Sequence, residues 1–296
     1  METGDIYLLG IDGGGTSCRA RLCSADGRVL GEGRAGSANV RLGVGQAYDA
    51  ILAATAEALR VAGLDGAVLS RTWAGFGLAG AVDDERKAAV LAHPNPFAGV
   101  AIETDAHAAC LGAHQGGDGG ILILGTGSCA VGYHENRFVV IGGWGFMVSD
   151  QGSGAWLGLN AIRRSLLAHE GIQETSDLSR ALMARFEDSP LALLNWSEGA
   201  RPGDYGAFAP LIFEHAAAGD ALAVELVKQS ATEAVALLER LLSLGVDRIC
   251  LMGGLSQPLE PWLPEVLRSH LVEPAGDAMD GALLMARQRL CDGGRS

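Results

Sequence analysis

The amino-acid sequence predicts an α/β protein of two domains, each built on a mixed β-sheet flanked by helices. Two observations support this fold class. Both halves of the 296-residue chain open with a strand, a glycine- and hydroxyl-rich hairpin, a second strand, a turn and a third strand. Strands and helices then alternate along each half, which is typical of α/β architectures.

The first half begins with the apolar run Ile6–Ile11 and the hairpin Asp12–Thr16. Gln46–Ala62 has apolar residues at helical spacing, and the following Gly63 is a common helix stop. The other elements predicted here are strands at Cys18–Leu22, Val29–Gly31, Arg71–Gly75 and Val100–Glu103, and helices at Asp83–His93 and Ala106–His114.

The second half begins with the strand Ile121–Leu124 and the hairpin Gly125–Ser128. The glycine-rich stretch Gly116–Gly120 predicts a boundary between domains 1–115 and 116–296. Prolines and glycines in residues 171–210 predict an irregular helical insertion, and the last helix is a candidate to pack back on the first domain. The other elements predicted here are strands at Cys129–Tyr133, Phe138–Ile141 and Arg248–Met252, and helices at Ala155–Glu170, Asp220–Leu244 and Met279–Leu290.

Composition excludes several classes of protein. The net charge of -13 argues against nucleic acid and anionic membranes as partners, because binding to phosphodiester chains depends on Lys and Arg. The six cysteines form no C-x-x-C pair, so we expect reduced thiols in a cytoplasmic protein. The chain contains 43 glycines, which is about double the average usage of this residue. We attribute part of this excess to loops that approach a ligand and most of the rest to turns, helix ends and the domain boundary.

The first hairpin has the composition of a phosphate-binding loop. Gly13, Gly14 and Gly15 have no side chains to keep a phosphate away, so successive backbone N–H groups can point at an anion. Thr16 adds a hydroxyl donor, and Asp12 at the strand end can hold Mg²⁺, usually through water. The alternative is a hairpin that only turns the chain.

The second hairpin strengthens the hypothesis of phosphate binding. Gly125–Ser128 has a similar composition of glycine and hydroxyl residues and follows the first strand of the second half, as Asp12–Thr16 follows the first strand of the first half. The chain has no G-x-x-x-x-G-K-[ST] loop, no protein-kinase motifs and no G-x-G-x-x-G between a strand and a helix. Backbone amides, hydroxyls and Mg²⁺ would therefore hold the phosphates, rather than a lysine.

This combination resembles the superfamily of actin, sugar kinases and heat-shock ATPases, in which two ribonuclease-H-like domains flank an interdomain cleft. Its hallmarks correspond to the two hairpins, to Asp105 after a strand, and to the late Gly-Gly loop in Leu251–Ser256. Within it, the chain resembles the N-acetylglucosamine kinase branch of the BadF/BadG/BcrA/BcrD ATPase family. Asn39 after Gly-Ser-Ala and the run Gly142–Ser153 carry that closer resemblance.

The resemblance implies ATP- and Mg²⁺-dependent phosphorylation of the 6-hydroxyl of an amino sugar, most simply N-acetylglucosamine, with glucosamine as the alternative. Asp105 would be the general base, although Asp at a helix start is also a common N-cap. The nucleotide and its metal would contact Asp12, Gly13, Gly14, Gly15, Thr16, Gly125, Thr126, Gly127, Gly253 and Gly254. The sugar would contact Asn39, Asp105, Ser128, Cys129, Gly143, Trp144, Gly145 and Asp150.

Several alternatives stay open at this point. Trp144 is equally compatible with core packing, and Asp150 with a turn. Asp12 stands where animal members of the branch have Glu, and Gln151 replaces an acidic residue of the motif. A different function would be an ATPase that activates a partner enzyme through an iron–sulfur cluster, or a non-catalytic sugar sensor. A homodimer is expected by analogy alone.

Overall fold

The computed structural model describes residues 5–293. The chain forms two compact units: unit 1 combines the residues up to Asp118 with those from Glu273 onward, and unit 2 is Gly119–Val272. The units divide three residues after the boundary expected from the sequence, and the chain returns to unit 1 for its last helix.

Each unit contains a mixed sheet. The strands are β1 Tyr7–Gly13, β2 Cys18–Ser24, β3 Val29–Ala35, β4 Thr72–Leu78, β5 Gly99–Glu103, β6 Gly119–Leu124, β7 Ser128–His134, β8 Arg137–Gly142 and β9 Ile249–Met252. Their order is β3-β2-β1-β4-β5 in unit 1 and β8-β7-β6-β9 in unit 2. Hairpin neighbours are antiparallel, whereas β1–β4, β4–β5 and β6–β9 are parallel. The repeated strand–hairpin–strand pattern is thereby confirmed.

The predicted helices are also confirmed, with ends that differ by a few residues. The helices are α1 Val44–Ala62, α2 Asp84–Ala92, α3 Asp105–Ala113, α4 Gly154–His169, α5 Asp177–Ala184, α6 Pro190–Gly199, α7 Pro202–Gly206, α8 Ala209–Ala217, α9 Ala221–Ser243, α10 Ser256–Leu259, α11 Glu265–Arg268 and α12 Ala278–Gly293. The region 171–210, where the sequence predicts an irregular helical insertion, contains the three short helices α5, α6 and α7.

Side-chain caps and left-handed glycines fix where several helices begin and end. Ser153 caps α4 by accepting from the Trp156 N–H, and Asp220 caps α9 by accepting from the Ala223 N–H. Helix α1 is terminated by Gly63, the residue after its last one, whose φ of 69° is left-handed, a conformation that glycine adopts without the cost of a Cβ.

The last helix packs in unit 1 against α3 and against strands β1 and β4. Glycines make this close approach possible. A Cβ at Gly281 would lie 1.8 Å from the Ala108 carbonyl oxygen, and one at Gly75 would lie 1.8 Å from that of Ala282. These glycines lie in neither a ligand loop nor a turn. Close packing of helices is therefore a further reason for the high glycine content, beyond those expected from the sequence.

The core of unit 2 includes α4, α8, α9 and the aromatic side chains of the insertion. Trp196 packs edge-on to Tyr205 and Phe208, with ring centroids 5.0 and 5.8 Å away. Across residues 5–293, no single helix is long and apolar enough to cross a membrane. The bent pair 202–217 and 221–243 meets that test only when taken together.

Candidate active site

The hairpin of unit 1 is fixed by backbone hydrogen bonds. The Gly14 N–H donates to the Ser17 carbonyl at 2.9 Å, and the Ala79 N–H donates to the Gly13 carbonyl at 2.7 Å. Ala38 donates to the Gly14 carbonyl at 3.2 Å. The loops after β3 and β4 therefore support the hairpin from two sides, and Thr16 at its tip is exposed.

The three glycines of this hairpin differ in what surrounds them. A Cβ at Gly13 would lie 2.5 Å from a Leu78 methyl group, so Gly13 is required by packing. A Cβ at Gly14 would meet only the Ser17 carbonyl at 3.4 Å, and one at Gly15 only Asn39 Nδ2 at 4.0 Å. The backbone at Gly14 and Gly15 is thus accessible to a ligand.

Asp12 lies at the carboxyl end of β1 and is ion-paired. Arg19, its cross-strand partner on β2, donates to Asp12 Oδ2 from Nε at 3.0 Å and from Nη2 at 2.6 Å. The Asp12 side chain remains 19% exposed. The sequence analysis placed Asp12 in this site but did not identify Arg19.

Asp105 follows β5. Strands β1, β4 and β5 run parallel to one another, so Asp12 at the end of β1 and Asp105 after β5 lie at the same edge of the sheet. Thr104 is the N-cap of α3 and accepts from the His107 N–H at 3.0 Å, so the capping alternative for Asp105 is wrong. Asp105 Oδ1 accepts from the Ala106 N–H at 2.9 Å. Burial raises the pKa of Asp105, and the negative charge of Asp12 raises it further.

Asn39 lies in the loop that supports the first hairpin. Its Oδ1 accepts from the Arg41 N–H at 2.9 Å, which starts a short 3₁₀ turn. Gly80, with a φ of 84°, leaves room for this side chain, since a Cβ there would lie 2.6 Å from Asn39 Oδ1. Asn39 is therefore held beside the hairpin through its oxygen, while its Nδ2 is close to Gly15.

The hairpin of unit 2 is supported by the start of α4. The Gly125 N–H donates to the Gly127 carbonyl at 2.9 Å, Gly154 donates to the Gly125 carbonyl at 2.8 Å, and Ala155 donates to the Thr126 carbonyl at 3.2 Å. A Cβ at Gly125 would meet no atom within 4 Å. Thr126 is exposed, so the tip of this hairpin is also open to a ligand.

The side chains of Asp150 and Ser128 form hydrogen bonds to backbone groups of the protein. Ser128 Oγ donates to the Gln151 carbonyl at 2.7 Å. Asp150 is 9% exposed, has a φ of 66°, and accepts from the backbone N–H groups of Ser128 and Gly145. Burial raises its pKa in spite of these bonds. Asp150 thus connects the hairpin to the loop that follows β8. This structural role agrees in part with the alternative that Asp150 is a turn residue.

The loop after β8 exposes an aromatic side chain. Trp144 is 72% exposed, so the core-packing alternative for it is wrong. Gly143 lies against Cys129, because a Cβ there would be 2.9 Å from Cys129 Sγ. Gly145, with a φ of 100°, has open space around it. A cavity of about 500 Å³ in unit 2 is lined by Trp144, Gly145, Phe146, Met147, Val148, Ser197, Ala200, Pro202 and Tyr205.

The late Gly-Gly loop contains one packed and one open glycine. Gly253 has a φ of 94°, and a Cβ there would lie 2.3 Å from the Leu124 carbonyl oxygen. The Leu255 N–H donates to that same oxygen at 3.0 Å. Gly254 has no atom within 4 Å of a Cβ position. Gly254 is therefore the position of this loop where a ligand can approach the backbone.

The two hairpins and the acidic side chain after β5 lie within a segment that matches a known protein family. Residues 9–286 match the BadF/BadG/BcrA/BcrD ATPase family. The chain belongs to this family. Within it, glucosamine kinase GspK of Vibrio cholerae is 42% identical over 280 residues, which cover 95% of each protein.

Solved structures agree with this assignment. The provisionally named N-acetylglucosamine kinase of Chromobacterium violaceum has a TM-score of 0.87 and 34% identity, covering 95% of this chain and 99% of that one. A ROK family glucokinase of Streptomyces griseus, solved with glucose and AMPPNP, has a TM-score of 0.54 and 20% identity, covering 96% and 99%. The second likeness concerns the fold alone, and together they confirm the predicted actin-like fold class of two α/β domains.

A cluster that the sequence analysis missed lies beside Asp105 in this member of the family. Glu103 accepts from Lys87 Nζ at 2.6 Å and lies 2.7 Å from His107 Nδ1. Burial opposes ionisation of Glu103, but the bonds from His107 and Lys87 hold its pKa below the ordinary value. Lysine is rare in this chain, since Lys228 is the only one besides Lys87, and this rarity is a signal in the sequence that points to the cluster.

The acidic side chains of unit 1 fit one kind of metal site. In the described part of the chain, no group of three or more His, Cys, Asp or Glu side chains is placed to hold a metal ion. Mg²⁺ does not need such a cage, because it binds one or two carboxylates and keeps water and phosphate oxygens as its other ligands. Asp12 offers a partly exposed carboxylate of this kind, so the residues present fit Mg²⁺ bound together with phosphate.

Proposed function

We propose that the protein is an ATP-dependent kinase of amino sugars that phosphorylates the 6-hydroxyl, with Asp105 as general base. The single observation that carries this role is the environment of Asp105. Its carboxylate is released from helix capping by Thr104, and its pKa is raised by burial and by Asp12. A base whose pKa lies nearer to the working pH is better matched to accepting a proton from a hydroxyl.

The proposed reaction is a single phosphoryl transfer. The sugar 6-oxygen forms a bond to the γ-phosphorus of ATP as the bond from that phosphorus to the β–γ bridging oxygen breaks, and ADP leaves. The hydroxyl proton passes to an oxygen of Asp105. Such a transfer requires mainly positioning and stabilisation of charge, so a well-placed carboxylate and backbone donors are sufficient protein groups.

Open backbone explains how a chain with a net charge of -13 binds a polyphosphate. We assign phosphate contacts to the N–H groups around Gly14, Gly15 and Gly125, because these positions leave space for a ligand. Thr16 and Thr126 would add hydroxyl donors at the exposed hairpin tips. Asp12 would hold Mg²⁺, which when bound neutralises charge on the phosphates.

Glucosamine is the acceptor that we favour. The relative that is 42% identical over nearly the whole chain is a glucosamine kinase, which reverses the order of preference drawn from the sequence alone. N-acetylglucosamine is the second candidate. It is favoured by the Chromobacterium violaceum relative and by the apolar lining around Trp144, Met147 and Val148, which would suit an acetyl methyl group.

A coupled assay of ADP release across glucosamine, N-acetylglucosamine, N-acetylmannosamine and glucose tests this proposal. We expect the highest kcat/KM with glucosamine and a 6-phosphate product. A preference for N-acetylglucosamine would select the second candidate. Absence of turnover with every sugar would contradict the kinase function, and an iron–sulfur spectrum of the purified protein would favour a partner-activating ATPase. Homodimer formation and cytoplasmic location stay predictions.

A further inference from the structure

We propose that Arg19 is a positioning residue for Asp12, and that Asp277 before the last helix holds Arg19 in place. The inference rests on the proposed function, since it concerns the carboxylate assigned there to Mg²⁺. It adds two residues, from β2 and from the chain that re-enters unit 1, to the parts that determine metal and nucleotide affinity.

The contact between Arg19 and Asp12 is asymmetric. Arg19 Nε and Nη2 both donate to Asp12 Oδ2, at 3.0 and 2.6 Å. Oδ1 of Asp12 accepts no hydrogen bond from residues 5–293. One carboxylate oxygen is therefore fixed by a charge-assisted pair of bonds, and the other is left for water or metal.

Strand register brings these side chains together. Asp12 on β1 is the cross-strand partner of Arg19 on β2, and Arg21, two residues on, points to the same face. Arg21 is the cross-strand partner of Glu32 on β3 and donates to it at 2.6 Å. Each of these two arginines of β2 thus faces one cross-strand carboxylate, Asp12 on β1 for Arg19 and Glu32 on β3 for Arg21.

Asp277 joins the two arginines. Its Oδ1 accepts from Arg21 Nη1 at 3.1 Å and its Oδ2 from Arg21 Nη2 at 3.2 Å, and Oδ2 lies 3.6 Å from Arg19 Nη1. Asp277 is itself fixed at the start of α12. Its N–H donates to Asp280 Oδ2 at 2.9 Å, and the Asp280 N–H donates back to Asp277 Oδ1 at 3.1 Å.

Two opposing effects of Arg19 on a bound cation have to be weighed. Its positive charge repels Mg²⁺, while its hydrogen bonds hold Asp12 in one orientation. Asp277 Oδ2 lies 3.6 Å from Arg19 Nη1 and offsets part of that charge, so we expect the orienting effect to outweigh the repulsion. Partners that orient a metal ligand typically contribute about 10–100-fold to metal affinity.

Isothermal titration calorimetry of ADP, in EDTA and in saturating Mg²⁺, tests the inference without turnover. The measured quantity is the gain in ADP affinity that Mg²⁺ gives. We expect Arg19→Gln to reduce this gain about tenfold while the affinity in EDTA stays at the wild-type value. Arg19→Lys, which keeps the charge but not the paired donors, should recover part of the gain and serves as the test if Arg19→Gln does not fold.

Arg34→Gln is the matched control. Arg34 is the cross-strand partner of Arg19 on β3 and lines the same polar groove, but it makes no ion pair in the described part of the chain. It should keep the full gain. An undiminished or increased gain in Arg19→Gln, or an equal loss in Arg34→Gln, would overturn the positioning role. If Mg²⁺ does not change the affinity of the wild-type protein for ADP, the metal assignment of the proposed function is overturned instead.

Discussion

Thr104 caps helix α3 and thereby frees Asp105, the next residue, from that role. Thr104 Oγ1 accepts from the His107 N–H at 3.0 Å, and Asp105 Oδ1 accepts from the Ala106 N–H at 2.9 Å. The division matters because a carboxylate that caps a helix is stabilised as an anion and is a weaker base. Asp105 is instead half-buried with a raised pKa, next to a helix start that another residue caps.

The pH dependence of activity should show this raised pKa. A general base works only when deprotonated, so kcat/KM should fall on acidification at a pH above the ordinary Asp value of 3.8. The profile is measured with saturating MgATP and with circular dichroism at each pH, so that neither nucleotide titration nor unfolding contributes. An acid limb at the ordinary aspartate value would contradict the effect of burial and Asp12.

Open and packed glycines should respond differently to alanine. Gly125→Ala adds a methyl group to open space, so it should leave the melting temperature unchanged and raise the KM for ATP. Gly253→Ala should instead cost at least about 1–2 kcal/mol in unfolding free energy from its left-handed backbone alone. Thermal melts and ATP kinetics on both variants make the comparison. A Gly125→Ala variant with normal ATP kinetics would refute phosphate contact at that hairpin.

The contact of α12 with α3 should be highly sensitive to a single methyl group. Gly281→Ala would place a Cβ 1.8 Å from the Ala108 carbonyl oxygen, so we expect a loss of about 3 kcal/mol or more in unfolding free energy. Gly45→Ala in α1 is the control, because that site is open and the substitution should stabilise by about 0.5 kcal/mol. Urea unfolding measures both. Equal stability of the two variants would mean that the helices are further apart than described.

Trp144 should matter for the sugar and not for folding. Because it is 72% exposed, Trp144→Ala should melt like the wild type, while the KM for the amino sugar rises about tenfold, or about 1.4 kcal/mol of binding. Trp196→Ala is the contrasting variant. Trp196 packs against Phe186, Tyr205 and Phe208, and its loss should cost about 2–3 kcal/mol of stability. Unchanged sugar kinetics in Trp144→Ala would remove Trp144 from the site.

The fold was predictable from the sequence because its signals are local. Gly-rich hairpins between apolar runs gave the strand pairs around Asp12–Thr16 and Gly125–Ser128, and helical spacing gave α1 and α9. Capping was only half predictable. Asp105 and Thr104 are both good N-caps by residue type, and the choice between them depends on the backbone at the end of β5.

The supporting contacts of the site were not predictable, since they join residues far apart in the chain. Arg21 and Asp277 are 256 residues apart, and Lys87 on helix α2 donates to Glu103 at the end of strand β5. The glycines of α12 and α3 show the same limit. Gly112 and Gly281 look like ordinary helix-weakening residues until the two helices are placed together.

The most direct test of the central claim is single-turnover phosphoryl transfer in Asp105→Asn. Rapid-quench measurement of 6-phosphate formed from ATP and glucosamine should show a rate about 10²–10⁴-fold below wild type, with ATP affinity kept. The variant should melt at or above the wild-type temperature at neutral pH. A raised folded pKa means that the ionised carboxylate costs stability above that pKa, and Asn removes this cost. Asp49→Asn, on the exposed face of α1, should match wild type in both respects. A wild-type transfer rate in Asp105→Asn would contradict the account.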